Sequence, residues 1–349
     1  MKILVLGGSM FVGWHIVHEA LHRGHTVTTF NRGITHPDRF PGIDKIRGDR
    51  NTQDIQQIRR QTWDAVIDSC GYDAETVRLS VSAAAEHADR YIFISSLGAY
   101  KHRGRPGQDE TAEVALPGEM CTPVLPASHL ASYPPVLDHG PRKTACEQVV
   151  QTFFSACCLI LRLGLVVGPY DHTDRFTYWP ARIANGGDVL APGNPDALVQ
   201  FIDGRDLARF VIEMTERRAT GTFNIAGPEQ PVRMADFFAV CKELSNSDAR
   251  FHWTGDTFLL ANQIKMYTEM PLWIAALLEG INQFNTDKAK AAGLVHRPLV
   301  EVVRDVLSWH RSRGENYILK AGISAEREAH LLRKFAADRE SPGSKARTA

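Results

Sequence analysis

Gly7-Gly8 and Gly13 carry the spacing of a phosphate cradle. The apolar run Ile3–Leu6 ends at Gly7-Gly8, and Gly13 follows inside a segment whose Phe11, Val12, Ile16, Val17, Ala20 and Leu21 share one face. Gly24 stops that segment, and Thr26–Phe30 begins a second apolar strand. Strand, glycine turn, helix and strand in this order form a unit that holds a dinucleotide. Gly7 allows the tight turn and Gly13 lets the helix approach the strand. The helix N-terminus, reached through Ser9, Met10, Phe11 and Val12, turns its free N–H groups toward a pyrophosphate. After the second strand the turn reads Asn31-Arg32, where a carboxylate would hold the ribose hydroxyls of NAD. A carboxylate repels a 2′-phosphate and an arginine pairs with it, so NADP is the expected cofactor, with NAD as the alternative.

These residues need a sheet to position them. Short strands are expected at Lys45–Arg47, Ala65–Asp68, Tyr91–Ser95 and Cys158–Arg162, with helices near 74–87 and 141–155. Repeated strand–helix units imply a parallel sheet covered on both faces. Residues 101–138 are irregular and hold several Pro and Gly, as a lid or active-site insertion would. After Gly168 the pattern changes to short strands (Val199–Ile202, Thr222–Ile225) mixed with helices near 206–217 and 234–245. The expected fold is α/β, a Rossmann-type doubly wound parallel sheet with a smaller α+β substrate-binding lobe. Residues 1–168, with contributions from 199–226, would form the nucleotide domain. Residues 169–340 would form the lobe and C-terminal helices, and 341–349 a disordered tail. The Leu-, Met-, Trp- and Phe-rich stretch 256–285 is expected over the cleft. A helix near 325–339, with Leu331, Leu332 and Phe335 on one side, would dock on the body or on another subunit.

The 349 residues suffice for such a pair of lobes, and 40 basic residues balance 40 acidic ones, which argues against broad electrostatic binding to nucleic acid. The 14 His and 6 Cys lack the paired spacings of a zinc site, so no metal is expected, and Cys157-Cys158 read as buried thiols. The first residues already read as strand, and no apolar run is long enough for a membrane span. A cytoplasmic protein without a membrane partner is the expectation.

Several further segments resemble the extended short-chain dehydrogenase/reductases, in particular the NAD-dependent epimerase/dehydratase family. Phe93-Ile-Ser-Ser-Leu-Gly-Ala-Tyr100 resembles the family's S-[ST]-x-x-V-Y, His139-Gly-Pro-Arg-Lys143 its Y-G-x-x-K, and Arg162–Pro169 its R-P-x-x-V-x-G-P. Gln200–Leu207 is similar to the F-I-h-V-x-D-h segment, where h is apolar, and Asp171–Trp179 to a substrate-facing loop. The glycine turn, GGSMFVG, looks like the atypical G-G-x-x-F-x-G variant, in which Met10 replaces the middle glycine of G-x-x-G-x-x-G. The resemblance covers roughly residues 1–310 and extends to the chloroplast stem-loop-binding group. It implies catalytic roles for Ser96, His139 and Lys143, with Lys143 also on the nicotinamide ribose. It places Asp49 and Arg50 beside the adenine, and Cys70 and Gly71 along the cofactor groove. It also implies a homodimer through the two helices near 74–87 and 141–155.

Histidine at 139 changes the chemistry that this resemblance implies. A phenol beside a lysine exchanges a proton with the substrate oxygen, its pKa drawn down from about 10. Imidazole starts near 6.5, and a neighbouring ammonium favours its neutral form, a competent base but a weaker acid. Its shorter reach calls for a closer substrate, a bridging water or a different reaction, since a misplacement of about 1 Å can cost on the order of a hundredfold. Tyr133 and Tyr178 are the alternative phenols. Phe176, Tyr178 and Trp179 read equally as substrate contacts or packing. Arg182, Arg205 and Arg209 are candidates for a sugar-nucleotide diphosphate clamp. The expected activity is NADP-dependent oxidoreduction of a small metabolite carbonyl, alcohol or imine. The alternatives are epimerisation or dehydration with internal cofactor recycling, and a non-catalytic nucleotide-sensing or RNA-binding role.

Overall fold

In the computed structural model, residues 1–123, 126, 131–133 and 140–340 are described; His139 and the tail 341–349 lie outside them. Strands β1 (Lys2–Leu6), β2 (Thr26–Asn31), β3 (Asp44–Arg47), β4 (Ala65–Asp68), β5 (Tyr91–Ser96) and β6 (Cys158–Leu163) alternate with helices α1 (Phe11–His22), α2 (Ala74–Ala84) and α3 (Gly140–Phe154). Later come β7 (Leu165–Val167), α4 (Tyr178–Ala184), β8 (Asp188–Pro192), β9 (Leu198–Asp203), α5 (Gly204–Glu216) and β10 (Gly221–Ile225). The chain ends with β11 (Gly227–Arg233), α6 (Met234–Ser245), β12 (Arg250–Thr254), α7 (Asp256–Ala261), α8 (Asp287–Ala291), α9 (Leu299–Ser312) and α10 (Ala325–Glu340).

Seven strands form one sheet in the order β10-β6-β5-β4-β1-β2-β3, and every pairing is parallel. Alternation along β1 sorts the core. Ile3 and Val5 pack with Ile16, Val17, Leu207 and Val211 of α1 and α5. Leu4 and Leu6 face the other side, with Val77, Val81 and Val150 of α2 and α3. The order reverses between β1 and β4, where an open α/β sheet leaves a crevice at its carboxyl edge. Asp203 explains why α5 starts at Gly204, two residues ahead of the sequence expectation: its carboxylate accepts from Arg205 N at 2.8 Å and caps the helix.

The second lobe holds a three-stranded sheet (β11-β9-β7), a two-stranded one (β12-β8) and most of the remaining helices. Residues 256–285 build its core, where Leu259, Ile264, Met266, Met270, Leu272 and Trp273 are buried, rather than lining the nucleotide cleft. α10 docks on this lobe through buried Leu331, a Phe335–Phe258 ring pair at 5.3 Å and the buried Glu328 carboxylate. Glu328 accepts from Arg182 Nε at 2.6 Å and Leu190 N at 3.0 Å. All six cysteines are free thiols; Cys158 is buried in β6 as expected, whereas Cys157 just before the strand is only half-buried. Among the described residues no helix is long and apolar enough to cross a membrane.

Candidate functional site: a cleft at the carboxyl edge of the sheet

A cleft of about 620 Å³ opens where the strand order reverses. One wall is the glycine turn. Gly7 and Gly8 have φ of +97° and +84°, and a Cβ on Gly7 would stand 2.7 Å from Ser69 Oγ. That hydroxyl donates to Leu6 O at 2.8 Å and ties the ends of β1 and β4 together. A Cβ on Gly13 would meet Gly8 N at 2.8 Å, so only glycine lets α1 lie this close to the turn. Met10 precedes α1 without a side-chain cap, and no acidic residue lies in the first turn. The first N–H groups of α1 are therefore free to hold an anion. This wall fits a dinucleotide pyrophosphate. Phe11 takes a positive φ of +26° at the first position of α1, and its ring is buried with the α1 and α5 core.

The far end of the cleft carries Arg32 and Arg50 together with Asp49 and Asp73. Asn31 is consumed in shaping the turn: its Nδ2 donates to Gly7 O at 2.9 Å, and its Oδ1 accepts from Gly33 N and Arg47 Nη1. Arg32 is exposed, lines the cleft and has no protein partner among the described residues. Asp49 lines it too, accepting from Asn51 N at 2.9 Å and Asn51 Nδ2 at 3.0 Å. Arg50 reaches the cleft but is tethered. Its guanidinium donates to both Asp68 carboxylate oxygens, at 2.8 and 2.7 Å, and to Ser80 Oγ at 2.8 Å. Burial alone would raise the Asp68 carboxyl, but Arg50 and hydrogen bonds from Cys70 N and Tyr91 hold it below the usual range. Arg50 thus acts through the wall it braces. Cys70 lines the cleft, its thiol pushed up by burial. Gly71 packs beneath it, where a Cβ would stand 2.6 Å from the Phe93 ring.

Ser96 and Lys143 lie beyond the cleft's floor, on β5 and α3. Ser96 Oγ accepts from Gly98 N at 3.1 Å and caps the short 3₁₀ turn Leu97–Ala99. The start of α3 presses on that turn: a Cβ on Gly140 would fall 1.7 Å from Gly98 O. Lys143, 6% exposed, donates from Nζ to Gly71 O at 2.6 Å and Ile94 O at 2.8 Å, which leaves one ammonium N–H for a ligand. Burial draws its pKa down. The Tyr72 ring, half open to the cleft, covers the ammonium with its centre 4.5 Å from Nζ. Beneath, Ser95 Oγ donates to Glu147, whose carboxylate pairs with Arg162 at 2.7 Å, a buried network that holds α3 on the sheet.

Other candidates belong elsewhere. Phe176, Tyr178 and Trp179 are packing residues of the lobe core. Tyr178 is fully enclosed, and burial raises its hydroxyl far above the usual phenol range, so it is not a proton carrier at this site. Tyr133 accepts a hydrogen bond from Arg103. Arg182 is spent on Glu328, Gly186 O and Asp188 O, Arg205 on Asp203 and Asp305, and Arg209 on Val295 O. Motif reading missed Tyr72, Asn51, Asp73, Thr76 and His172 in the lining. Tyr72 directly follows Cys70-Gly71, so extending the β4 edge by one residue would have found it. His172 lies in the Asp171–Trp179 segment that resembles a substrate-facing loop, but the resemblance singles out no residue within it.

The parallel order, the glycine turn and the cleft define a dinucleotide-binding fold of the short-chain dehydrogenase/reductase type. The match of residues 3–226 to the NAD dependent epimerase/dehydratase family shows that this chain belongs to that enzyme family. Chloroplast stem-loop binding protein of 41 kDa b from Arabidopsis thaliana is 31% identical over 243 residues, 65% of this chain and 58% of its own length. The chain thus spans less than two thirds of that relative. The solved UDP-N-acetylglucosamine 4-epimerase from Bacillus cereus superposes with a TM-score of 0.63 at 17% identity, over 90% of this chain and 100% of that one. UDP-glucuronic acid 4-epimerase from Bacillus cereus, solved in complex with NAD, gives 0.63 at 16%, over 90% and 99%. At these identities the likeness is one of fold.

Proposed function

We propose that the protein is an NADP-dependent oxidoreductase acting on a small metabolite carbonyl, alcohol or imine, in the cytoplasm and as a homodimer through α2 and α3. The observation that carries this reading is Arg32, exposed and without a partner among the described residues just after β2, beside a cleft whose far wall is the uncapped start of α1. When bound, the nicotinamide supplies hydride chemistry. Gly7, Gly8, Ser9 and the first N–H groups of α1 would hold the pyrophosphate. Arg32 would hold the 2′-phosphate, and Asn51 and Asp49 would edge the adenosine. The remaining N–H of Lys143 is suited to a ribose hydroxyl. Ser96 would release its bond to Gly98 N or share it with a substrate oxygen or nitrogen. His139 keeps its proposed role as proton carrier on its place four residues before Lys143.

The substrate is proposed to be smaller than a sugar nucleotide because Arg182 and Arg205, two of the three arginines considered for a diphosphate clamp, are held by carboxylates within the protein. Epimerisation with internal cofactor recycling is the second reading, favoured by the family to which the chain belongs. Incubation with NADPH and a panel of small carbonyls and imines separates the two. Net oxidation of NADPH by at least one substrate, followed at 340 nm, is the expected result. Substrate isomerised with no net change in nucleotide would overturn oxidoreduction in favour of epimerisation.

A further inference from the structure

We infer that His172 is a cofactor-positioning residue, donating a hydrogen bond from the second lobe to the pyrophosphate of the dinucleotide. This rests on the reading of the cleft as a dinucleotide site. Among the described residues lining that cleft, His172 is the one that comes from beyond position 76. Its ring is exposed and makes no hydrogen bond within the described residues. It stands edge-on to Phe11, with ring centres 6.5 Å apart, and Phe11 is the first residue of α1, where the free N–H groups begin.

Both flanks of His172 are fixed. Upstream, Pro169 O meets His15 Nε2 of α1 at 3.0 Å, and the Tyr170 ring packs 4.2 Å from Trp14 of the same helix. Tyr170 takes a left-handed φ of +71°, rare for a residue with a bulky side chain. At the next position Asp171, which is buried, accepts from Thr173 N at 2.9 Å and Thr173 Oγ1 at 2.7 Å, closing a tight turn around His172. Downstream, Asp174 is left-handed at φ +58° and completely buried. It accepts from Arg313 Nη1 at 2.6 Å, Tyr317 OH at 3.2 Å and Lys320 N at 3.1 Å. Two strained residues and a buried ion pair therefore hold one exposed imidazole in the mouth of the cleft.

The glycine turn gives this placement a chemical purpose. A glycine at the middle position of such a turn lets backbone approach the pyrophosphate closely. Here Met10 puts a side chain there, 37% exposed, and weakens that wall. A donor reaching the start of α1 from outside the turn offsets the loss, and an imidazole N–H suits a phosphate oxygen.

Calorimetry on the full chain tests this with two ligands. NADP⁺ carries the pyrophosphate, and 2′-AMP carries only the adenosine and its 2′-phosphate. His172→Ala should weaken NADP⁺ by about tenfold, the loss of one hydrogen bond to a charged group, and leave 2′-AMP unchanged. His172→Gln, which keeps an N–H donor, should recover most of the NADP⁺ affinity. Wild-type NADP⁺ affinity in His172→Ala, or an equal loss for both ligands, would overturn the assignment. Wild-type protein that binds neither NADP⁺ nor NAD⁺ would overturn the reading of the cleft itself, and this inference with it.

Discussion

At the residue scale the proposed chemistry rests on single side chains, and each can be questioned singly. Lys143 is the most constrained, since two backbone carbonyls take two of its three protons. Lys143→Met should abolish turnover and weaken nucleotide binding; steady-state kinetics and calorimetry would check both. For His139, the imidazolium donates in reduction, so the reductive rate should fall as pH rises through the histidine range, and the oxidative rate should rise. His139→Phe should remove turnover with little change in nucleotide affinity. If Tyr72→Phe abolishes turnover and His139→Phe does not, the proton carrier is the phenol lying on Lys143. That tyrosine was hidden from motif reading because its partner arrives from a residue 71 positions away. The aromatic run 176–179 stayed open between two readings for the converse reason: residue type cannot separate a substrate wall from a core, and here the core claims it.

At the scale of elements, close contacts decide where the chemistry sits. Gly140→Ala would drive a methyl group into Gly98 O, so α3 must move off the turn that Ser96 caps. A drop in turnover with a stability loss of about 1–3 kcal/mol is expected, measured by chemical denaturation alongside the assay. α1 carries a second device in His15, which burial holds down to about 4. Its folded pKa lies below the unfolded value near 6.5, so its contribution is present above pH 6.5 and lost as pH falls toward 4. Unfolding free energy should drop by about 2 kcal/mol between pH 7 and pH 5, with most of that slope absent in His15→Gln. A slope unchanged by the substitution would contradict this. The strand–glycine–helix–strand unit was legible because all its determinants are local. The loop carrying His172 was legible as a substrate-facing segment, but not its conformation, because Pro169, Tyr170 and Asp174 take theirs from partners on α1 and beyond Ser312.

For the whole molecule, alternation of strands and helices announced the parallel sheet, while the strand order and the split of the core came only with tertiary packing. Arg182, Arg205 and Arg209 show the same limit, because their partners (Glu328, Asp305, Val295) are 86 to 146 residues distant. α2 and α3 lie side by side on one face of the sheet, and a dimer through them should appear as twice the chain mass in light scattering at micromolar concentration. Monomer alone would contradict that assembly. The central claim is the cofactor, and it is tested most directly by titrating wild-type protein and Arg32→Ala with NADP⁺ and NAD⁺ in a calorimeter. NADP⁺ should bind wild type at least about tenfold more tightly than NAD⁺, as one charge-assisted pair to the 2′-phosphate requires, and Arg32→Ala should erase the difference. Equal affinities in the wild type, or a preference untouched by Arg32→Ala, would contradict the account.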